Sequence, residues 1–373
     1  MKHLYLLLFI ICSQTFSQEP TNYYSSATGK TGYDLKTELK KIIDNKDDNL
    51  STEFLSLDLG YGELYTTYET SDIDSYFENN GTVLDMYSEK PLGMDSYEYT
   101  YAIETPNDDR DMGSGGNSEG QFYNREHIIP QSVFNQDSPM RNDAHFVVPS
   151  DKFVNSQRGS FPFGVVDIPN WTSTNLSKRG NNLNSGYSAG YTGTVFEPID
   201  EFKGDIARMH FYFAVRYEDD IASFNSYDMF NGSENQVFST TFFNILYQWH
   251  INDPVSTREQ DRNNAIFNRQ NNRNPFIDNP NYVQSIWSSL LSNKNIEITS
   301  TKIYPNPVKD NFVYFSTTQN LEVIIYNVIG KQMLVKNISK DNNTIDISNL
   351  AKGIYVVKLN SNRGITAKKL IKE

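Results

Sequence analysis

The sequence predicts an α+β protein in which a small strand–strand–helix unit is embedded in a largely helical domain, followed by a small all-β domain. Three observations predict this fold class. Within residues 124–164, two short β-rich segments, each stopped by a proline, precede a capped helix. Helical spacing of apolar residues dominates residues 204–291. After residue 298, short alternating segments separated by turns are typical of a β-sandwich.

The first 17 residues are predicted to be a secretory signal peptide. They combine a basic start, an apolar run too short to span a bilayer and small polar residues before the expected cleavage site. Cys12 lies inside this segment without a convincing lipoprotein motif, so the expected mature chain contains no cysteine. This composition excludes disulfides, thiolate catalysis and cysteine-ligated zinc in the mature chain. We expect an exported, soluble monomer without stable membrane insertion.

The net charge of −13 is concentrated in the N-terminal part of the chain, whereas the C-terminal region is basic. An acidic chain argues against tight binding of nucleic acid, because phosphate contacts usually require a basic surface. Catalysis is not excluded, since weak binding and a local basic patch are sufficient for turnover. Asp108, Asp109 and Asp111 crowd one polar loop, but their spacing does not fit the EF-hand template. A solvated acidic loop is therefore predicted there.

The central strand–strand–helix unit is predicted from residues 125–158. Arg125–Ile129 and His145–Val148 are the two strand segments, and each is followed by a proline. Ser150 and Asp151 offer N-cap side chains for a helix that continues to Arg158 and ends at the following glycine.

Periodicity predicts the remaining elements. Helices are expected at residues 35–43, 204–217, 238–250, 256–271 and 282–291. Strands are expected at residues 83–87 and 97–103 and, in the C-terminal region, at 311–316, 322–326, 332–336, 344–346, 353–359 and 367–371. Residues 169–194 are rich in Asn, Ser and Gly and are predicted to be irregular. We predict domains at residues 18–297 and 298–373.

His127 is the first candidate catalytic residue. A neutral imidazole has a pKa suited to taking a proton from water near neutral pH, so His127 is a candidate general base. The alternative is a histidine whose hydrogen bonds are satisfied within a sheet, which is at least as common for a lone histidine. The neighbouring Glu126, Asn155 and Arg158 favour the catalytic interpretation.

Asn155 and Arg158 are three residues apart on the predicted helix and share one face. The carboxamide oxygen of Asn155 and the carboxylate of Glu126 would form a hard oxygen site suited to Mg²⁺. Arg158 could bind a phosphate through two N–H groups of its guanidinium. An equally good interpretation is an ordinary arginine that interacts with the dipole at the C-terminus of a helix. Because adjacent residues of a regular strand face opposite ways, Glu126 and His127 can both act only if the strand ends, twists or bulges there.

Further polar residues have two open interpretations each. Asp143 and His145 would share a strand face and could hydrogen-bond, in a structural role rather than as metal ligands. Arg262 and Arg273 belong to an arginine stripe that is the best basic candidate for contacts with a nucleic-acid backbone, although a solvated helix face is the commoner reason for such a stripe. Arg208 is expected to be either a phosphate contact or an ion-pair partner.

One set of motifs resembles the endonuclease I family of secreted, non-specific bacterial nucleases. The motifs are Asn124-Arg125-Glu126-His127, Asp143-Ala144-His145, Val148-Pro149, Asn155 and Arg158. The resemblance extends through residues 204–218 and 261–278 and covers most of residues 50–290. It implies a ββα-metal (His-Me finger) core that cleaves DNA, and often RNA, leaving 5′-phosphate ends.

The same resemblance implies roles for individual residues. His127 would be the general base, Glu126 and Asn155 would hold one Mg²⁺, with Mn²⁺ or Ca²⁺ as alternatives, and Arg158 would lie beside the phosphate. A phosphate-binding arginine is also expected between the two strands, where Arg141 is the only candidate. Arg125 is a second candidate for contact with phosphate or with the surrounding side chains.

The C-terminal region resembles the sorting domains of the type IX secretion system of Bacteroidetes. The match is carried by Tyr304-Pro305-Asn306-Pro307, Tyr326-Asn327-Val328-Ile329-Gly330, Leu350-Ala351-Lys352-Gly353-Ile354-Tyr355 and the basic end of the chain. It implies export through the outer membrane by the secretion machinery, to the cell surface or the medium. From the residues alone, a β-module that binds carbohydrate or a partner is the alternative.

The sequence therefore predicts a secreted, metal-dependent endonuclease that hydrolyses phosphodiester bonds of DNA, and of RNA as well, by attack of water. The alternative is a catalytically inactive extracellular nucleic-acid-binding protein or adhesin. The intact set of Glu126, His127, Asn155 and Arg158 favours the enzyme.

Overall fold

The computed structural model describes residues 19–44, 54–103, 108–291, 301–317, 320–328, 330–361 and 364–373. The predicted signal peptide and the predicted domain boundary at residues 297 and 298 lie outside the described residues. On the two sides of that boundary the described residues form separate hydrophobic clusters, one between Tyr23 and Trp287 and one between Val308 and Leu370. No helix within the described ranges combines the length and the apolar character needed to cross a membrane.

Helices dominate the larger, N-terminal part, as the periodicity predicts. They are α1 (Gly32–Asp44), α2 (Glu63–Ser71), α3 (Lys152–Arg158), α4 (Lys203–Arg216), α5 (Glu218–Ile221), α6 (Thr240–Asn252), α7 (Thr257–Gln270), α8 (Pro275–Asp278) and α9 (Tyr282–Ile286). Every residue of α4 after Lys203 is buried, and this helix packs against α1, α6 and α8. A helix buried on all sides forms the centre of a domain, so α4 is the scaffold for the elements around it.

The predicted strand–strand–helix unit is present, with shifted strand bounds. β1 (Tyr123–His127) pairs in antiparallel register with β2 (Val147–Asp151), and α3 follows directly. The expected stop of the second strand at Pro149 was wrong. Pro149 lies within β2 opposite Arg125, which a two-stranded sheet tolerates because each strand has an open edge that needs no N–H donor. The Asp151 side chain accepts the Val154 N–H and caps α3, and Gly159, at φ 56°, ends it.

Two predictions in the N-terminal part were wrong. The segment expected to be irregular forms an antiparallel sheet of β3 (Val166–Thr172), β4 (Lys178–Asn182) and β5 (Thr194–Glu197). Register shifts around Pro169 interrupt the alternation that would have revealed β3. The strands expected at residues 83–87 and 97–103 do not form a regular sheet: residues 86–88 are a turn, and pairing is limited to contacts such as the Ile73–Val83 bridge and the bonds from the Val83 and Leu84 N–H groups to the Tyr99 and Asp72 carbonyls.

The C-terminal part is all-β, as predicted. Its strands are β6 (Ile303–Tyr304), β7 (Phe312–Phe315), β8 (Leu321–Asn327), β9 (Gln332–Ile338), β10 (Thr344–Asp346), β11 (Gly353–Ser361) and β12 (Gly364–Lys372). They form one sheet in the order β10–β7–β6 and another in the order β12–β11–β8–β9. Alternating side chains of both sheets contribute to one hydrophobic cluster. The mixed α and β composition followed by all-β sheets confirms the coarse fold class.

Candidate active site

His127 is the last residue of β1, and its ring is 3% exposed. Its Nε2 lies 3.0 Å from the carbonyl oxygen of Arg141, which can only accept a hydrogen bond. Nε2 therefore carries the proton, and the lone pair of the neutral ring is on Nδ1. Burial lowers the pKa of His127 to about 4, and the charges of Arg125 and Arg141 act in the same direction. The ring is consequently a neutral base at any pH near 7.

Two arginines and a tyrosine surround the His127 ring. The Tyr61 ring stacks on His127 with ring centroids 6.0 Å apart. The guanidinium carbons of Arg125 and Arg141 lie 3.6 Å and 4.2 Å from the centroid of the same Tyr61 ring. Both arginines are half-buried, and the Nε atom of each is buried without a hydrogen-bond partner among the described residues. These groups form a basic, aromatic patch with unused donors, which is the chemistry that binds phosphate.

A tight turn presents Tyr61 to this patch. Gly60 has φ +87°, a conformation that strongly favours glycine, and its N–H is held by the Asp58 carboxylate at 2.9 Å. The Tyr61 carbonyl oxygen accepts a hydrogen bond from Arg125 at 3.0 Å, so the turn and β1 are directly joined. Tyr61 was missed in the sequence because no motif near it in the chain indicates a functional role. The two glycines that flank it are the only local signal.

Glu126 points to the other face of β1. Its Oε1 accepts the Tyr87 hydroxyl at 3.0 Å and lies 3.4 Å from the Arg158 guanidinium. Arg158 gives its hydrogen bonds to the carbonyl oxygens of His127, Ile128 and Gly159, not to this carboxylate. Burial raises the pKa of Glu126 to about 7, against the opposing charge of Arg158. The charge of Arg158 thus offsets only part of the cost of burying this carboxylate.

Asn155 lies over the same face of β1 as Glu126. Its Nδ2 donates to Asn124 Oδ1 at 2.8 Å, and Asn124 precedes Glu126 by two residues on the regular strand. The α3 face that carries Asn155 and Arg158 therefore covers the strand face that carries Asn124 and Glu126. With Nδ2 engaged, the carboxamide oxygen of Asn155 is the atom left to coordinate an ion.

These residues fit a hard divalent cation. The donor atoms on this face are carboxylate and carboxamide oxygens, which Mg²⁺ and Ca²⁺ prefer. The cost of burying Glu126, which Arg158 offsets only in part, is a further reason for a cation there. Glu126 and Asn155 are the residues that would hold the ion.

From the sequence alone, Glu126 and His127 could both act only if the strand ended, twisted or bulged at these residues. β1 pairs with β2 without a bulge, so the two side chains leave the strand on opposite faces. The strand ends at His127, one of the three ways in which both side chains could act. The unit therefore separates an ion-binding face from a base-and-phosphate face at one strand end.

Asp143 and His145 belong to a structural network. Asp143 lies in the loop before β2, and its Oδ2 accepts the hydroxyls of Tyr212 and Tyr217 and an Arg216 N–H, at 2.7–3.2 Å. Burial alone would raise the pKa of Asp143, but Arg216 and the hydrogen-bond donors hold it below its ordinary value. The His145 ring bonds the Asn272 carbonyl at 3.0 Å, not Asp143. The network anchors the loop that carries Arg141 to α4.

The arginines expected to contact a nucleic-acid backbone are held inside the domain. Arg208 is 0% exposed and makes two hydrogen bonds to Glu259, at 2.5 and 2.8 Å. Arg262 bonds Asp72 at 2.8 Å, and Arg273 bonds both carboxylate oxygens of one aspartate, at 2.7 and 2.8 Å. These guanidinium groups are already paired with carboxylates of the same chain. The position of the three side chains does not support the phosphate-contact interpretation, and for Arg208 it supports the ion pair.

A neutral buried base beside unused guanidinium donors, with an oxygen-lined ion site behind the same strand end, is typical of enzymes that hydrolyse phosphodiesters. Comparison with known proteins agrees with this class. The chain belongs to the endonuclease I family, whose model matches residues 31–281, and residues 302–373 match the secretion system C-terminal sorting domain.

Two relatives cover most of the chain. An extracellular ribonuclease of Bacillus subtilis (strain 168) is 32% identical over 277 residues, which is 71% of this chain and 78% of the relative. An extracellular ribonuclease of Bacillus amyloliquefaciens is 32% identical over 279 residues, 73% of this chain and 80% of the relative. Together with the family, these similarities make the chain a nuclease, and the sorting domain assigns it to secretion or the cell surface.

Proposed function

We propose that this protein is a metal-dependent endonuclease that hydrolyses phosphodiester bonds of DNA and RNA without sugar specificity, leaving 5′-phosphate ends. The observation that carries the proposal is the bond from His127 Nε2 to the Arg141 carbonyl, which fixes a neutral base beside two guanidinium groups with unused donors. The pairing of β1 and β2 followed by α3 supports a ββα-metal (His-Me finger) core.

His127 Nδ1 takes a proton from the attacking water, while the Arg141 carbonyl keeps the ring in the correct tautomer. The guanidinium groups of Arg125 and Arg141 hold the phosphate on the same side as the base. Glu126 and Asn155 hold one Mg²⁺, for which Mn²⁺ or Ca²⁺ can substitute. When bound, this ion stabilises negative charge on the phosphate and on the leaving oxygen.

Arg158 has a positioning role in this proposal. Its guanidinium is 1% exposed and donates to the carbonyl oxygens of His127 and Ile128 at 3.0 and 2.5 Å. These bonds fix the strand end from which Glu126 and His127 diverge. The catalytic role predicted for Arg158 is therefore replaced by one in which it holds the backbone of the base.

Export forms the second part of the proposal. A signal peptide at residues 1–17 would direct the chain across the inner membrane, and the C-terminal domain would direct it through the type IX machinery. The names of both relatives, extracellular ribonucleases, support an extracellular nuclease that accepts RNA. The nuclease domain at 18–297 and the sorting domain at 298–373 remain our proposed division.

The test is cleavage of supercoiled plasmid and of matched DNA and RNA oligonucleotides by the purified chain. We expect cleavage of all three with Mg²⁺, none with EDTA, and 5′ ends that become labelled by a kinase only after phosphatase treatment. Cleavage of one sugar alone would refute the lack of sugar specificity. Cleavage that persists in EDTA would refute the metal dependence. Binding without cleavage in every metal would favour an inactive nucleic-acid-binding protein.

A further inference from the structure

A cluster of three carboxylates lies outside the candidate active site. One oxygen each from Asp74, Glu78 and Glu89 lies within 4.8 Å of the others. Two ligands on opposite sides of one Ca²⁺ are separated by about 5 Å, twice the usual Ca–O distance of about 2.3–2.6 Å. The three oxygens are thus close enough to share a single ion.

The cluster contains buried oxygens with unused hydrogen-bonding capacity. Glu89 is 1% exposed, and its Oε1 has no hydrogen-bond partner within the described part of the chain. The Oε2 of Glu78 is also buried and unpartnered among the described residues. An unpaired buried carboxylate oxygen is costly, so a ligand is the simplest way to satisfy both atoms.

The protein itself supplies no counter-charge to this cluster. Across the described ranges, no lysine or arginine nitrogen lies within 4.0 Å of the carboxylates of Asp74, Glu78 or Glu89, whereas the acidic loop nearby is neutralised. There Asp108 pairs with Arg110, and Asp111 pairs with Lys152, both at 2.7 Å. The chain therefore neutralises the acidic stretch that looks like a calcium loop in sequence and leaves the buried cluster unneutralised.

We propose that Asp74, Glu78 and Glu89 bind a structural Ca²⁺ ion, separate from the ion held by Glu126 and Asn155. All three ligands are hard carboxylate oxygens, and two of the residues are almost fully buried. Mg²⁺ usually keeps several of its waters and needs near-ideal octahedral geometry, whereas Ca²⁺ accepts irregular cages of protein oxygens. The site therefore suits Ca²⁺ better than Mg²⁺.

The position of Asp74 is fixed in advance. Its Oδ1 accepts the backbone N–H groups of Tyr76 and Phe77, at 3.2 and 3.0 Å, and its Oδ2 accepts that of Asn79, at 3.1 Å. The loop that contains Glu78 is thus wrapped around the Asp74 carboxylate. Binding Ca²⁺ would join this loop to the separate segment that carries Glu89.

That segment leads directly to the candidate active site. The Glu89 N–H bonds the Asp85 carbonyl at 3.0 Å, and Asp85 Oδ2 accepts the N–H of Asp151, the N-cap of α3, at 2.8 Å. Between them, Tyr87 donates its hydroxyl to Glu126 at 3.0 Å. We infer that the ion stabilises the segment that orients Glu126 and the start of α3.

Electrostatics agree with the geometry. Without an ion, burial together with Asp95, Glu78 and Asp74 raises the pKa of Glu89 to about 9. The same acidic neighbours that raise this pKa favour a bound cation at the cluster.

The first test counts bound ions by calorimetry with CaCl₂. We compare the purified chain with Glu89→Gln, with Glu126→Gln and with Glu69→Gln, which makes the same change on an exposed face of α2. Glu89→Gln should bind one ion fewer, and Glu126→Gln and Glu69→Gln should keep that ion. Equal stoichiometry of Glu89→Gln and the unchanged chain would overturn the proposal. Loss of an ion from Glu126→Gln alone would place the bound ion at the nuclease site and would likewise overturn the proposal.

The second test compares the thermal unfolding of the unchanged chain and of Glu89→Gln in Ca²⁺ and in EDTA. The substitution should lower the unfolding temperature in Ca²⁺ but not in EDTA. In about 10 mM Ca²⁺ the unchanged chain should unfold about 5 °C higher than in EDTA. Glu89→Gln should lose the part of this shift that Glu126→Gln keeps, but should be as stable as, or more stable than, the unchanged chain in EDTA, because it removes a buried carboxyl from its acidic neighbours.

If Glu89→Gln fails to fold, Glu78→Gln tests the same site with a less buried side chain. Glu69→Gln should keep the full calcium shift. A Ca²⁺ shift that Glu89→Gln or Glu78→Gln retains in full, equal to that of the unchanged chain, would contradict the proposal, whatever the nuclease activity of these variants.

Discussion

The two faces of β1 differ in how their charges are arranged, although they are built by alternate residues of one short strand. On the α3 face, Glu126 is buried between Tyr87 and Arg158, and intramolecular contacts engage most of the polar groups. On the opposite face, His127 and two half-buried arginines surround Tyr61, and both guanidinium groups keep an unused buried donor.

This difference indicates that the two faces of β1 have different functions. The α3 face is ordered internally and presents carboxylate and carboxamide oxygens, so it fits a cation. The Tyr61 face carries excess positive charge and unused donors, so it fits the phosphate and holds the base. A single strand end thus keeps an oxygen-lined environment and a basic environment apart, and changes on the two faces should affect different kinetic constants.

The largest expected effect follows from removing the base. His127→Ala should lower kcat by about 10²- to 10⁴-fold, because no group remains to take the proton from water. The measurement is single-turnover cleavage at saturating Mg²⁺, with thermal unfolding as the check on folding. A fall in kcat of less than tenfold would place the base elsewhere.

Removing a phosphate donor should have the next largest effect. Arg141→Ala should lower kcat/KM by about tenfold to a hundredfold, because hydrogen bonds to a charged group contribute about 1.5–3 kcal/mol. Arg269→Ala is the matched control, since Arg269 pairs with Glu63 near the surface. Salt-dependent steady-state kinetics on one oligonucleotide measure both variants. Equal losses in the two would show that the effect is unspecific.

The pH dependence should distinguish a buried base from an ordinary histidine. The lowered pKa of His127, about 4, keeps the ring neutral down to that pH, so kcat is lost only as the pH falls through about 4. Between pH 7.5 and 5.5, kcat at saturating Mg²⁺ should fall by only a few per cent through this group, against about tenfold for a base with a pKa of about 6.5. A tenfold fall over this range would contradict the assignment.

The smallest effect on activity is expected for the buried arginine stripe. Arg262→Met should leave KM unchanged but destabilise the fold by about 3–5 kcal/mol, because Asp72 is left as an unpaired buried charge. Denaturant unfolding measures the loss, and a further Asp72→Asn change should restore part of it. An increase in KM with unchanged stability would instead show that Arg262 contacts the nucleic-acid substrate.

The sequence predicted the parts of the fold that depend on local patterns. The positions of α1, α4, α6 and α7 follow from apolar periodicity, and the N-cap of α3 follows from Asp151. The strand bounds were less accurate, since Pro149 lies inside β2. The β3–β5 sheet was missed because β3 is largely exposed and β4 is polar in sequence, so neither strand shows a clear apolar alternation.

Long-range partners explain what the sequence could not predict in the site. The carboxylate partner of Arg262 is 190 residues away, and that of Arg208 is 51 residues away, so spacing along one helix could not distinguish an ion pair from a phosphate contact. Tyr87 reaches Glu126 from 39 residues away, and Tyr61 reaches Arg125 from 64 residues away. The opposite orientations of Glu126 and His127, by contrast, follow from strand alternation alone.

The most direct test of the division between the two faces is a Mg²⁺ and substrate titration of Glu126→Gln beside Arg141→Ala. Glu126→Gln should raise the Mg²⁺ concentration for half-maximal activity by at least about tenfold and leave KM for the nucleic acid unchanged at saturating metal. Arg141→Ala should raise KM and leave the Mg²⁺ requirement unchanged. If Glu126→Gln requires no more Mg²⁺ than the unchanged chain, or if both variants alter both constants equally, the division between the two faces is wrong.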